Sequence, residues 1–297
     1  MPDRRRRAFL LAAAAAPLSG CDVLPEAPLP AALQPRFVPW SEPARLALVL
    51  SSGGPRGFSH IGVLKALHEI GVKPDLVVGA SVGALLGSML CAGAPVADLE
   101  SLALDFDFRS LVRLSLTRGY ILSGRGLAWY VNNEIERRLG HTLLERLPLR
   151  FAAVAADAHT GEALAFNAGD TGRAVQAACA IPGRFDPVEI RGRLYADSDQ
   201  VAPLPVRLAR SLGAVKVIAV DCSAPADNPL PGAAVYREGD LRKRALIEAD
   251  AKFADIVLRA DIGYWVNLNR EYRERSTRAA YEYTLGRREE ILRAVGA

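Results

Sequence analysis

The chain of 297 residues is poor in the features that several protein classes require. It has only four cysteines, none in a CxxC pair, and four histidines. That spacing excludes a cysteine-rich zinc site and gives no sign of a resident metal or cofactor. If Cys21 is set aside, Cys91, Cys179 and Cys222 are an odd number, so they do not close a disulfide framework and are expected as free thiols. Beyond the N-terminus no charge-free apolar run is long enough to cross a bilayer. Excess charge is nearly absent as well. The formal net charge is +4, the first twenty residues supply +3 of it, and the remainder carries +1. A nucleic-acid binder needs a persistent basic surface, which this balance does not provide. What is present is ordinary for a globular protein: 50% hydrophobic and 24% charged residues, in a length that fits one large domain or two small ones.

The N-terminus reads as an address. Arg4 to Arg7 precede a short apolar stretch from Ala8 to Leu18 and then Ser19-Gly20-Cys21. A charged start, about a dozen apolar residues and a small-residue exit are the marks of an export signal, here residues 1–20. Leu18-Ser19-Gly20-Cys21 resembles a bacterial lipoprotein box, which implies lipidation of Cys21. Arg6-Arg7-Ala8-Phe9-Leu10 resembles a twin-arginine signal, and the Sec and twin-arginine routes both stay open. Acylation would hold the protein on a membrane of the bacterial cell envelope, on the periplasmic side, with inner or outer membrane undecided. Residues 21–43 contain Pro25, Pro28, Pro30, Pro35, Pro39 and Pro43. Prolines at that density favour an extended tether ahead of a domain over 44–297.

That domain alternates strand and helix. Leu46 to Leu50 is a continuous apolar run, as in a strand buried on both faces. A helical pattern begins near Phe58, with apolar Ile61, Leu64, Leu67 and Ile70, and stops at Gly71. Leu76-Val77-Val78 predicts a second strand and Ala84 to Ala92 a second helix. Strand–helix–strand–helix in some fifty residues implies an α/β fold with a parallel sheet. Further strands are expected at Phe151–Ala156, Val215–Val220 and Ile256–Leu258. Residues 97–148 read as largely helical, and Thr277–Val295 as an amphipathic helix.

Two glycine-rich turns carry the chemistry. Gly79-Ala80-Ser81-Val82-Gly83 joins a buried strand to a helix. A serine on such a turn projects its oxygen clear of the sheet, and Gly79 and Gly83 avoid side-chain clashes. Ser81 is therefore the candidate nucleophile, at a helix N-terminus that favours developing negative charge. Gly53-Gly54-Pro55-Arg56-Gly57 also follows a strand and opens a helix. Consecutive glycines let amide N–H groups converge on an oxyanion or a phosphate, with Arg56 adding positive charge. A Gly-Lys-Ser/Thr sequence is missing, and the second strand ends without the acidic residue of a dinucleotide site, so nucleotide binding is disfavoured.

The general base is harder to name. An α/β-hydrolase places its histidine after the serine and the acid. Only His141, on a polar helical stretch, and His159, in an apparent hairpin turn, follow Ser81. His60 and His68 lie on the helix after the first glycine turn and read as structural, with His60 close enough to brace that turn. A histidine-based triad is disfavoured.

These residues resemble the patatin-like phospholipases. The resemblance rests on Gly53-Gly54-x-Arg56-Gly57 and Gly79-x-Ser81-x-Gly83 in that order. It extends to His60-x-Gly62-Val63-Leu64, Ala180-Ile181-Pro182-Gly183 and Leu194-Tyr195-Ala196-Asp197 before Pro205-Val206, covering roughly residues 45–265. It implies a three-layer α/β/α fold with a mostly parallel central sheet, and hydrolysis of lipid acyl esters by a Ser–Asp dyad through an acyl-enzyme, without metal. It further implies Ser81 as nucleophile, and Gly53, Gly54, Arg56 and Gly57 as the oxyanion loop.

The third motif departs from the family pattern of Asp-Gly-Gly or Asp-Gly-Ala. Here it reads Asp197-Ser198-Asp199. Counting back from Pro205-Val206 places the family's acid on Asp197, with Asp199 as second choice. A free aspartate titrates near about 3.9 and is a weak base unless its site is desolvated. The dyad predicts an acid limb of the pH profile set by a carboxylate. Phe106, Phe108, Leu111, Leu114, Leu116 and Trp129 would shape an acyl pocket or lid, or, on the preferred reading, serve as core. The alternative is a catalytically degraded lipoprotein that binds lipid or a protein partner. Transfer of the acyl group to an acceptor other than water is a further possibility within enzymes.

Overall fold

The computed structural model describes residues 29–105, 113–114, 122–223, 232 and 235–296. The expected export signal, Cys21, and Phe106, Phe108, Leu111 and Leu116 lie outside the described residues, as does the side chain of Leu114.

The continuous apolar runs form the parallel centre of the sheet. β1 (Ala44–Leu50), β2 (Leu76–Ala80), β3 (Arg150–Asp157), β7 (Ala214–Val220) and β8 (Ile256–Leu258) align in parallel. Three further strands complete it: β4 (Ala163–Phe166), β5 (Val188–Ile190) and β6 (Arg193–Asp197). The order is β8-β7-β1-β2-β3-β6-β5, with β4 paired to β3 outside that path. β4 and β6 both run antiparallel to β3. β5 and β6 escape the sequence pattern because three to five residues of mixed polarity carry no readable period, and β4 is apolar but only four residues long.

Both faces are covered. The helices are α1 (Phe58–Ile70), α2 (Val82–Cys91), α3 (Val96–Asp105), α4 (Arg125–Leu139), α5 (Thr171–Ala178), α6 (Val206–Ser211), α7 (Arg237–Ala251), α8 (Arg270–Gly286) and α9 (Arg288–Val295). Leu46, Leu48 and Leu50 point into one apolar core with residues of α1–α5, α8 and α9. Ala47 and Val49 point into a second core with α6 and α7. Alternate residues of one strand thus feed two cores, which is why the run is apolar throughout. The result is the three-layer α/β/α architecture.

Three details differ from the sequence reading. The C-terminal helix is two helices, broken at Arg287, whose side chain binds the Val257 carbonyl and the Tyr283 hydroxyl. Between α3 and α4 lies a short antiparallel pair, Arg113–Leu114 with Leu122–Ser123. The proline-rich stretch from residue 29 is fastened to the domain. Arg36 pairs with Ala168, and the Asn167 side chain brackets both backbone polar groups of Val38 at 2.7 Å. Proline removes donors from a segment, but the remaining backbone groups still find partners on a neighbouring loop.

Candidate active site

Ser81 follows the last residue of β2 and caps α2, with φ 52° and ψ −124°, a strained conformation for a residue with a Cβ. Crowding holds it there. A Cβ on Gly79 would overlap the Gly83 carbonyl oxygen, and one on Gly83 would overlap the Leu50 carbonyl oxygen. The two glycines let β2 turn sharply and let α2 start hard against the end of β1.

The acid reaches the serine because two strands share one lane of the sheet. β2 and β6 both lie on the edge of β3 opposite β4, and they run toward each other. Ala80 pairs with Val154, and Asp197 pairs with the next residue, Ala155. The two strand ends therefore meet head to head. Ser81 Oγ donates to Asp197 Oδ2 at 2.5 Å, with both side chains buried. The Asp197 amide donates to the Ala180 carbonyl at 2.9 Å, which gives the Ala180-Ile181-Pro182-Gly183 segment a structural task.

The two nearby carboxyls have opposite electrostatics. Burial pushes Asp197 up to about 7, against the hydrogen bond from Ser81, and the Asp199 charge adds to the rise. Asp199 is also raised by burial, but the Lys243 ammonium beside it, with the hydrogen bonds from Lys243, Ser52 and Gln200, more than offsets this and holds it below the ordinary carboxylate value. Asp199 is bound by the Ser52 hydroxyl at 2.5 Å, by Lys243 and by Gln200 at 3.0 Å. Its side chain is thus committed elsewhere, while Ser81 is bonded to Asp197. Asp197 at about 7 titrates in the range of an imidazole, so a pH midpoint alone does not separate the two kinds of base.

The glycine turn after β1 lies beside this pair. Gly54 has φ +54°, open space where a Cβ would sit, and a place in the wall of the pocket that holds Ser81. Gly57 packs on Val82, and Gly53 on Cys222, whose sulfur would be 2.5 Å from an added Cβ. Arg56, expected to add positive charge to the turn, has neutral hydrogen-bond partners. Its guanidinium is buried and donates to the carbonyls of Gly263, at 2.8 Å, and Tyr264, so it fastens the turn to that loop. His60 is fully buried, with Nε2 3.0 Å from the Ser51 carbonyl, just ahead of the turn. His68 and His159 are exposed, and His159 lies in the turn between β3 and β4. His141 bonds its own loop through the Leu143 amide.

The pocket encloses about 600 Å³, its open mouth included. Beside Gly54 and Ser81 it is lined by Val82, Leu85, Gly124, Leu127, Gln176, Cys179, Ile181 and Phe185. Among the described residues, Gln176 adds a polar amide to that wall. The apolar lining suits a hydrocarbon chain. Trp129 is neither core nor pocket wall, since it is 69% exposed on α4. The sequence reading missed Gln176 and Cys179, whose thiol donates to the Ser81 carbonyl at 3.2 Å, and also Ser52 and Lys243. Ser52 and Cys179 adjoin motifs already singled out, while Lys243 and Gln176 come from helices that no local pattern ties to the site.

Comparison with known proteins places the chain in a family. A family model described as patatin-like phospholipase matches residues 48–210. An uncharacterized NTE family protein of Mycobacterium tuberculosis is 35% identical over 202 residues, 68% of this chain and 55% of its own length. Lysophospholipase NTE1 of Coccidioides immitis is 31% identical over 189 residues, 63% of this chain and 12% of that protein. The chain thus spans little more than half of the first relative and a small part of the second. Among solved structures, VipD from Legionella pneumophila superposes with a TM-score of 0.54 at 15% identity, over 82% of this chain and 66% of VipD, a likeness of fold.

Proposed function

This chain belongs to the patatin-like phospholipase family, and from that premise we propose that it is a serine acyl hydrolase acting on lipid esters. The observation that carries the reading is the buried 2.5 Å hydrogen bond from Ser81 to Asp197. Asp197 takes the hydroxyl proton as Ser81 Oγ bonds to the ester carbonyl carbon. The carbonyl electrons move onto oxygen, facing the Gly53-Gly54 turn and the N-terminus of α2. Collapse expels the alcohol, which takes the proton back from Asp197 and leaves an acyl-Ser81 ester. Water, deprotonated by Asp197, then releases the fatty acid and restores the serine. Burial supports the assignment of the base: a carboxyl near 7 is far better matched to this proton transfer than a solvated one. The pocket beside Ser81 supports an acyl chain as the group recognised.

Lipidation of Cys21 and attachment to the cell envelope belong to the same reading, since they would bring the pocket to its substrate surface. Labelling with a fluorophosphonate probe and turnover of a medium-chain ester test it. Wild type labels and turns over, with kcat/KM falling below about pH 7 as Asp197 takes up a proton. Ser81→Ala and Asp197→Asn each lose at least roughly a thousandfold in kcat. His159→Ala retains activity. Labelling that survives Ser81→Ala, or activity that disappears with His159→Ala, rejects the dyad. A protein that binds ester without turnover would instead be the degraded, lipid-binding form.

A further inference from the structure

Asp199 stands where the family pattern carries glycine or alanine, and its surroundings give that departure a purpose. Ser52 follows β1 by two residues, immediately before the glycine turn, and its hydroxyl donates to Asp199 Oδ1 at 2.5 Å. Lys243, from the middle of α7, pairs with the same oxygen. The Asp199 amide in turn donates to Asp197 Oδ1 at 2.9 Å, while Asp197 Oδ2 faces Ser81. A single residue thereby joins three parts of the site: the loop bearing the acid, the strand end leading into the glycine turn, and α7.

We propose that Ser52, Asp199 and Lys243 form a positioning cluster that holds the Asp197 loop against the glycine turn and sets a cation against the second carboxylate, keeping Asp197 available as a base. The proposal rests on the reading of Asp197 as the base. Without the cation, a second negative charge two residues away would hold the proton on Asp197 more tightly. The other groups facing Asp197 are Ser81 and the Cys179 thiol, which burial and the Asp197 charge push well above its ordinary value. Gln200 completes the shell of Asp199. The His60–Cys222 pair, 3.5 Å apart, lies behind Ser51 and Ser52, with Cys222 within range of the Lys243 charge. Among these groups Asp199 and Lys243 push the Asp197 proton in opposite directions.

Opposite signs make the test sharp. In the full-length protein, the acid limb of kcat/KM and a carboxyl 13C NMR titration of Asp197 are measured side by side. Asp199→Asn, which keeps the shape and the backbone donor, moves both midpoints down by about half a unit to one unit. Lys243→Met moves them up by a similar amount. The double variant returns close to wild type, and Lys243→Arg, which keeps the charge, stays there. Shifts of the same sign in the two single variants, or no shift in either, overturn the proposal. Should Lys243→Met fail to fold, Asp199→Asn decides alone: a midpoint that holds or rises rejects the cluster. The NMR titration reads Asp197 whether or not it is the base. Failure of the parent reading shows itself separately, as labelling that survives Ser81→Ala.

Discussion

The turn after β1 and the turn after β2 both contain glycines and both open a helix, yet glycine serves a different end in each. At Gly79 and Gly83 the obstacle to a side chain is backbone: the Gly83 carbonyl in one case, the Leu50 carbonyl in the other. Neither glycine takes a positive φ, and the left-handed conformation falls on Ser81 itself. At Gly54 the situation is reversed. The glycine takes φ +54°, nothing crowds it, and it faces the pocket. One turn is locked by contact and puts its strain on Ser81. The other puts its conformational freedom on Gly54, in the pocket wall. The first presents a hydroxyl at a fixed point, and under the proposed function the second presents backbone to an oxyanion.

Substitutions probe that difference. Gly83→Ala meets carbonyl oxygens that cannot move without displacing β1, so it should cost roughly 3 kcal/mol in denaturant unfolding and abolish turnover. An activity loss without a stability loss there would mean that the turn is not locked. Asp197→Asn tests the acid buried against the locked turn. Its proton is held more tightly in the folded protein than in the unfolded chain, about 7 against an ordinary 3.8. The stability this group contributes is complete below about pH 4, lost as pH rises to about 7, and absent above. The amide removes that loss, so Asp197→Asn should match wild type near pH 4 and exceed it at pH 8 by up to roughly 4 kcal/mol, read by thermal unfolding. Equal melting temperatures at both pH values would show that burial does not set this proton. Gly54→Ala has no clash to resolve and costs about 1 kcal/mol for its positive φ. It should fold, lose a few degrees of melting temperature and fall about tenfold or more in kcat/KM as the turn tips. If Gly54→Ala keeps full activity, the turn does not serve the oxyanion.

Much of the fold was legible in the residue pattern. A strand buried on both faces must be apolar throughout, and β1, β2, β3, β7 and β8 announce themselves in that way. Ser81 stood out because a serine between glycines, at a strand–helix junction, has a mechanical reason to be there. β4, β5 and β6 did not stand out, and they include the strand whose end delivers Asp197. Arg56 shows the limit from another side. A cation in a glycine turn invites an electrostatic task, and its actual partners, the carbonyls of Gly263 and Tyr264, lie more than two hundred residues along the chain.

Local order along the chain was enough to specify alternating strands and helices, the two glycine turns and the candidate hydroxyl, because each depends on neighbours within one or two turns of backbone. The choice between Asp197 and Asp199 depended on the folded molecule. The two carboxylates are two residues apart and chemically alike. What separates them is a serine from one segment and a lysine from another, brought in by packing. Burial and charge act through space, so a proton that rests near pH 7 on one carboxylate and leaves early from the other is a property of the assembled core.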